Sequence, residues 1–136
     1  MPNLVKVDYE QTGASKSTNE FGMRDMQAKA YEARNAQYLL LKAPPASGKS
    51  RALMFIALDK LRNQGLKKVI VAVPERSIGG SFDSTDLNSF GFYDNWEPKE
   101  KYNLCTTIEN TGTVVVFKEF LENDEVNEVI MSKGKL

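Results

Sequence analysis

One eight-residue segment carries the residue types that bind phosphate groups: Ala43-Pro44-Pro45-Ala46-Ser47-Gly48-Lys49-Ser50. It matches the GxxxxGK[ST] spacing of the phosphate-binding P-loop except at its first position, where Ala43 replaces glycine. A short apolar run precedes the segment and a helical pattern follows it, which is the context that this motif requires. The segment therefore predicts a phosphate-binding loop. The alternative is a chance loop that contains a common Gly-Lys-Ser tripeptide.

The chemistry of a nucleoside triphosphate explains these residue types. Residues 45–50 would surround the β-phosphate at the positive end of a helix dipole, and all of them except Pro45 can offer a backbone N–H group. Gly48 lets the backbone approach the phosphate without a Cβ clash. Lys49 is the expected catalytic cation, because its ammonium group can bridge the β- and γ-phosphates, and the Ser50 hydroxyl is the expected Mg²⁺ ligand.

The segments on either side of the loop predict the elements that hold it. The apolar residues 38–41 predict a buried strand, and residues 50–64 predict a helix that ends at Gly65. The unbroken apolar run Val69–Val73, β-branched at every position except Ala72, predicts a strand covered on both faces, as in a parallel sheet. Strand, helix and strand in this order form a βαβ unit, so the predicted fold class is α/β.

The rest of the chain divides into a leader and one domain. Residues 1–20 are predicted to be a mobile polar leader, and residues 21–136 one incomplete domain. A helix is expected from Phe21 onward with Asn19 as its N-cap, because apolar residues recur there at helical spacing. Near the C-terminus the predicted elements are a strand over 113–117, a short helix over 118–123 and a strand over 129–131.

Composition excludes several kinds of chemistry. The 136 residues contain no histidine and one cysteine, Cys105, which excludes Ser–His or Cys–His catalysis, a His-ligated zinc site and an intrachain disulfide. Eighteen basic residues balance eighteen acidic ones, which argues against a strongly basic nucleic-acid module. No apolar stretch is long enough to cross a membrane. A reduced, cytoplasmic setting is therefore expected.

The loop and its flanks resemble motif I of superfamily 2 helicases and translocases, the DEAD/DEAH-box and restriction-subunit relatives. The segment from Arg24 to Gln27 resembles the Arg-x-x-Gln element of that family, and the segment from Val71 to Ser77 resembles its motif Ia. The resemblance covers roughly residues 20–80. It implies a P-loop NTPase fold, a RecA-like parallel sheet flanked by helices, with ATP and Mg²⁺ as cofactors and DNA or RNA as the partner of the full-length protein.

The resemblance also assigns roles to two residues outside the loop. It implies that Gln27 reads the adenine edge and that Arg76 contacts the nucleic-acid backbone. The alternatives are a solvent-facing helix residue for Gln27 and an ordinary helix-start charge for Arg76. Six aromatic residues between positions 82 and 102 could stack on bases, but five acids stand against two lysines there, which favours core packing. These aromatic residues are Phe82, Phe90, Phe92, Tyr93, Trp96 and Tyr102.

One part of the phosphoryl-transfer machinery has no counterpart in the sequence. A site of this type needs a carboxylate after a second apolar strand to hold Mg²⁺, and Lys118-Glu119 after the valine run is a poor match. The arginine finger and the C-terminal RecA-like lobe are missing too, so the chain alone is expected to be inactive. Two other functions stay open: a stand-alone P-loop NTPase or nucleotide kinase, and a non-catalytic domain with a vestigial P-loop.

Overall fold

The computed structural model describes residues 4–8, 18–44, 47–74, 76–105 and 113–132. Its backbone contacts divide the chain into two compact units, whereas the sequence predicted one domain over 21–136. Unit 1 comprises Met1–Asp59 and Asp86–Asp94, and unit 2 comprises Lys60–Thr85 and Asn95–Leu136.

Unit 1 is built on a pair of parallel strands. Its elements are β1 (Leu4–Asp8), α1 (Asp25–Glu32), β2 (Tyr38–Lys42), most of α2 (Lys49–Arg62) and a 3-10 turn (Asn88–Phe90). Strand β1 pairs with β2, and Leu4 lies opposite Tyr38. The prediction of a mobile leader is therefore wrong for residues 4–8. Lys6 interrupts the apolar run there, but Val5 and Val7 still alternate with the period of a half-buried strand.

The core of unit 1 lies between the helices and one face of β2. Met26 and Ala30 of α1 are buried together with Ala52 and Ile56 of α2, and Leu39 and Leu41 of β2 pack against them. The opposite face of β2 is open, since Tyr38 and Leu40 are each 52% exposed. The strand predicted to be buried is therefore covered on one face only among the described residues.

Unit 2 repeats the parallel pairing with other elements. It contains β3 (Val69–Val73), α3 (Thr113–Glu122), β4 (Glu128–Ser132) and 3-10 turns at Arg76–Phe82 and Glu100–Tyr102. Strand β3 pairs with β4, which confirms the strands predicted at Val69–Val73 and 129–131. Ile70 is 48% exposed, so the part of the chain that the structure describes covers β3 on one face and not on both as the sequence predicted.

The strand predicted over residues 113–117 is wrong, because these residues open helix α3. β-Branched valines favour strands, but packing decides at this position. Val116 and Phe120 lie four residues apart on one helix face and are buried with Val129 of β4. Helical spacing of the apolar residues was therefore a better guide than the valine run.

Each parallel pair of strands includes a helix in its connection. Helix α1 lies between β1 and β2, and α3 lies between β3 and β4. The predicted βαβ unit of β2, α2 and β3 is not formed as a paired unit, because the two strands belong to different two-stranded sheets. The α/β class with parallel strands is confirmed. Within the described ranges, no helix has the length and apolar character needed to span a membrane.

The six aromatic residues of the 82–102 region divide into two groups. Phe82, Phe92, Trp96 and Tyr102 are buried, which confirms core packing for them. The Trp96 indole donates a hydrogen bond of 2.7 Å to the carbonyl of Phe82, so its only polar atom is satisfied in the interior. Phe90 and Tyr93 are exposed instead.

Candidate phosphate-binding site

The candidate loop joins the end of β2 to the start of α2, as the motif requires. Strand β2 ends at Lys42, and α2 begins at Lys49. Ser47 is buried, and its hydroxyl donates a hydrogen bond of 2.6 Å to the carbonyl of Pro44. This contact closes the loop on itself. Two predicted ligand positions, Pro45 and Ala46, lie outside the described residues.

Gly48 is required at its position by backbone conformation and by space. Its φ of +94° lies in the left-handed region, where a side chain causes strain. A Cβ atom there would also lie 2.4 Å from the side-chain nitrogen of Gln27. The loop therefore turns into α2 through a position that strongly favours glycine, because a side chain there would be strained and would displace the end of Gln27.

Lys49 and Ser50 are the first two residues of α2. The Lys49 ammonium donates a hydrogen bond of 2.9 Å to the carbonyl of Ala43 across the loop, and its side chain is exposed. A phosphate oxygen is a stronger acceptor for an ammonium group than a neutral carbonyl. A phosphate bound at this helix end can therefore replace the Ala43 carbonyl as the partner of Lys49, and the described contact that is lost is an exposed one.

Gln27 ties the first helix to the loop. It is 2% exposed, its Nε2 donates a hydrogen bond of 3.0 Å to the carbonyl of Gly48, and its Oε1 accepts one of 2.8 Å from the N–H of Arg24. The second contact caps α1, whose N-cap is Arg24 and not Asn19 as predicted. Asn19 closes the preceding turn by accepting hydrogen bonds from Phe21 and Met23. Gln27 is therefore buried rather than facing solvent.

The contact between Gln27 and Gly48 leads to a prediction for Gln27→Ala. If Gln27 only read the adenine edge, as the family resemblance implies, the variant would lose preference for ATP over GTP and keep its affinity for phosphate. Because the side chain also holds the loop, we expect the affinity for inorganic tripolyphosphate to fall about fivefold, equivalent to one hydrogen bond of about 1 kcal/mol, and the affinity for ATP to fall by at least as much. Calorimetric titration of both ligands measures this. A loss confined to ATP would show that Gln27 acts on the base alone.

The far end of α2 is held by a buried carboxylate that the sequence analysis did not single out. Asp59 is buried, and its side chain accepts hydrogen bonds from the Tyr31 hydroxyl (3.1 Å) and pairs with the Arg34 guanidinium (3.2 Å). Burial raises the pKa of Tyr31, so its phenol remains protonated and able to donate. In the sequence, the position of Asp59 directly after the apolar residues of α2 could have indicated a buried carboxylate. This network joins the end of α1 to the helix that carries the loop.

The described residues do not complete a magnesium site. Ser50 is half-buried and supplies one hydroxyl oxygen. In the described part of the chain, no three His, Cys, Asp or Glu side chains converge as a metal cluster. Since Mg²⁺ is usually bound through at least one carboxylate in addition to phosphate oxygens, the donor set falls short.

Glu119 follows the valine run and was the one weak candidate for that carboxylate, but it has a structural role. It lies within α3, not after a strand, and accepts hydrogen bonds of 2.9 Å from Lys101 and from the Tyr102 hydroxyl. The Lys101 hydrogen bond is the largest cause of the lowered pKa of Glu119. These contacts fasten α3 to the Glu100–Tyr102 turn.

Arg76, the predicted nucleic-acid contact, opens the 3-10 turn Arg76–Phe82 just after β3. Only its backbone is described. It belongs to unit 2, whereas the loop residues Ala43 to Ser50 belong to unit 1. The role of Arg76 therefore stays a prediction.

One curated protein is similar to this chain over most of its length. The two are 62% identical over 125 residues, and that protein, from Bacillus subtilis (strain 168), bears the name "Putative ATP-dependent helicase YeeB". The matched region is 92% of this chain and 21% of the relative, so the chain spans about a fifth of the relative's length. No protein-family model and no solved structure matches the chain.

Proposed function

We propose that this chain is the ATP-binding segment of an ATP-dependent nucleic-acid helicase or translocase of the superfamily 2 type, with a RecA-like P-loop fold. The observation that carries the proposal is the glycine turn at Gly48 followed by Lys49 at the start of α2. The name of the Bacillus subtilis relative and the match to motif I support the same function.

In this proposal the described residues act mainly by position and charge. Lys49 leaves the Ala43 carbonyl and binds the β- and γ-phosphates, while backbone N–H groups at the start of α2 bind phosphate oxygens. Gln27 holds the loop and presents the remaining bonding capacity of its amide to the adenine edge. Arg76 contacts the nucleic-acid backbone. Ser50 supplies one oxygen for Mg²⁺.

The remaining catalytic groups belong to the rest of the longer protein. A carboxylate for the metal and a second RecA-like lobe are the parts that phosphoryl transfer and strand separation need in addition. DNA or RNA is the proposed macromolecular partner. The activity is therefore a property of the longer protein, and ATP binding is the part assigned to this chain.

Steady-state ATPase assays test whether hydrolysis needs the longer protein while this chain only binds ATP. We expect negligible turnover by the 136-residue chain, and turnover stimulated by single-stranded nucleic acid in a longer protein that contains it. The reason is that positioning and charge stabilisation supply most of the rate, and the chain holds only part of both. Turnover by the short chain near ~1 s⁻¹ would favour a stand-alone NTPase instead.

A further inference from the structure

Phe90 is the most exposed large apolar side chain of the Asp86–Asp94 segment. It is 63% exposed, whereas Leu87 and Phe92 in the same segment are each 1% exposed. Phe92 anchors the segment in unit 1, since its ring lies 4.7 Å from that of Phe55 and 6.0 Å from that of Tyr31. A single exposed phenylalanine is ordinary on a protein surface, so a functional role for Phe90 has to be argued from the residues around it.

Two close backbone contacts fix Phe90 beside the residues that lead into α1. A Cβ atom on Gly22 would lie 2.7 Å from the carbonyl oxygen of Phe90, and one on Gly91 would lie 2.1 Å from the carbonyl oxygen of Glu20. Both glycines have positive φ angles, +74° and +115°. The segment therefore touches the 20–22 turn at a distance that no side chain at either glycine would allow.

The other neighbour of Phe90 belongs to the helix that carries the candidate loop. The Arg51 guanidinium lies 5.8 Å from the centre of the Phe90 ring, within the range of a cation–π contact. Arg51 directly follows Ser50 in the first turn of α2. The exposed ring thus lies beside the side chain of the residue that directly follows the proposed phosphate loop. Gln27, the residue proposed to contact the adenine edge, lies in the same unit and donates a hydrogen bond to the carbonyl of Gly48.

We propose that Phe90 is a stacking surface for the nucleobase of the bound nucleotide, with Arg51 beside it toward the sugar and the α-phosphate. The proposal rests on the proposed ATP-binding function and adds to it the residue that receives the base. A flat aromatic ring that is held rigidly and faces solvent is the surface on which a base stacks, and a guanidinium at its edge complements the phosphate charge. The motif resemblance assigns no role to this segment.

The test compares Phe90→Ala, Phe90→Trp and the parent chain in calorimetric titrations with ATP and with inorganic tripolyphosphate. We expect Phe90→Ala to weaken ATP binding about 5- to 20-fold while tripolyphosphate binding stays unchanged, because only ATP has a base to stack. Phe90→Trp should bind ATP at least as tightly as the parent. Leu53→Ala, which truncates another exposed apolar side chain of unit 1, is the control and should leave both affinities unchanged.

The possible results separate this proposal from the one on which it rests. A parent chain that binds neither ligand overturns the proposed function and the stacking role together. A parent chain that binds both, with ATP affinity unaltered in Phe90→Ala, overturns the stacking role and leaves the phosphate site standing. Equal weakening of both ligands would show that Phe90 only supports the loop. Loss of single-stranded DNA binding at unchanged ATP affinity would assign the ring to a nucleic-acid base instead.

Discussion

Replacement of Lys49 by alanine is expected to weaken ATP binding about 10- to 150-fold, equivalent to about 1.5–3 kcal/mol, while the fold stays intact. The loss should be this large because the ammonium group is the one side-chain cation that the loop motif contributes, and a charge-assisted hydrogen bond to phosphate has this strength. The fold should survive, since the hydrogen bond that the Lys49 ammonium makes among the described residues, to the Ala43 carbonyl, is exposed. Calorimetry measures the affinity, and circular dichroism checks the fold.

Lys29→Ala is the matched control for the loss of a positive charge. Lys29 lies on α1 in the same unit, and its side chain is 60% exposed in a surface pair with Asp25. Such pairs contribute little to stability, so this variant should bind ATP like the parent. The phosphate-loop assignment fails if Lys49→Ala binds ATP with the parent affinity. It also fails if Lys29→Ala loses as much ATP affinity as Lys49→Ala does.

The second large effect is a loss of folding stability, which we expect when Lys68 is replaced. This half-buried lysine precedes β3 and donates hydrogen bonds to three carbonyls, that of Phe120 in the last turn of α3 (2.8 Å) and those of Asn123 (2.5 Å) and Val126 (2.5 Å) between α3 and β4. Its ammonium group also lies 4.9 Å from the centre of the Phe120 ring. A cation at this position satisfies carbonyls that a helix end leaves free and complements the negative end of the helix dipole.

Lys68→Met keeps most of the side-chain volume and removes the charge. We expect the free energy of unfolding of unit 2 to fall by about 1.5–3 kcal/mol, the range for hydrogen bonds that involve a charged group. Urea unfolding followed through Trp96, the only tryptophan and a residue of unit 2, measures the change. Lys67→Met, at an exposed neighbour, should stay within about 0.5 kcal/mol of the parent. Equal stability of the two variants would contradict the capping role of Lys68.

The elements around the loop could be predicted because their signals are local. The apolar run before Ala43 gave a strand within one residue of β2, and the apolar pattern after Gly48 gave α2 within two residues. The spacing of Gly48, Lys49 and Ser50 depends only on chain order, so the candidate site follows from the sequence. The contact of Gln27 with Gly48 joins residues 21 positions apart and depends on how α1 packs, which no local pattern specifies.

The wrong predictions from the sequence also concern features that depend on contacts between distant residues. Strand β1 was missed because a polar lysine interrupts a short run that is stabilised by its pairing with β2. The start of α3 was predicted as a strand because its valines favour strands, although burial of Val116 and Phe120 on one face requires a helix. Phe90 and Phe92 lie two residues apart, yet only Phe92 enters the core. Composition alone assigned both to the interior.

Backbone amide shifts of the 136-residue chain, recorded by nuclear magnetic resonance during titration with ATP, test the central claim most directly. The claim is that the loop ending in Gly48, Lys49 and Ser50 binds the phosphates of ATP through its backbone N–H groups. It predicts that these amides shift most and saturate, and that tripolyphosphate shifts the same amides. Saturating shifts confined to other residues, or no saturable shift of these three amides, would contradict it.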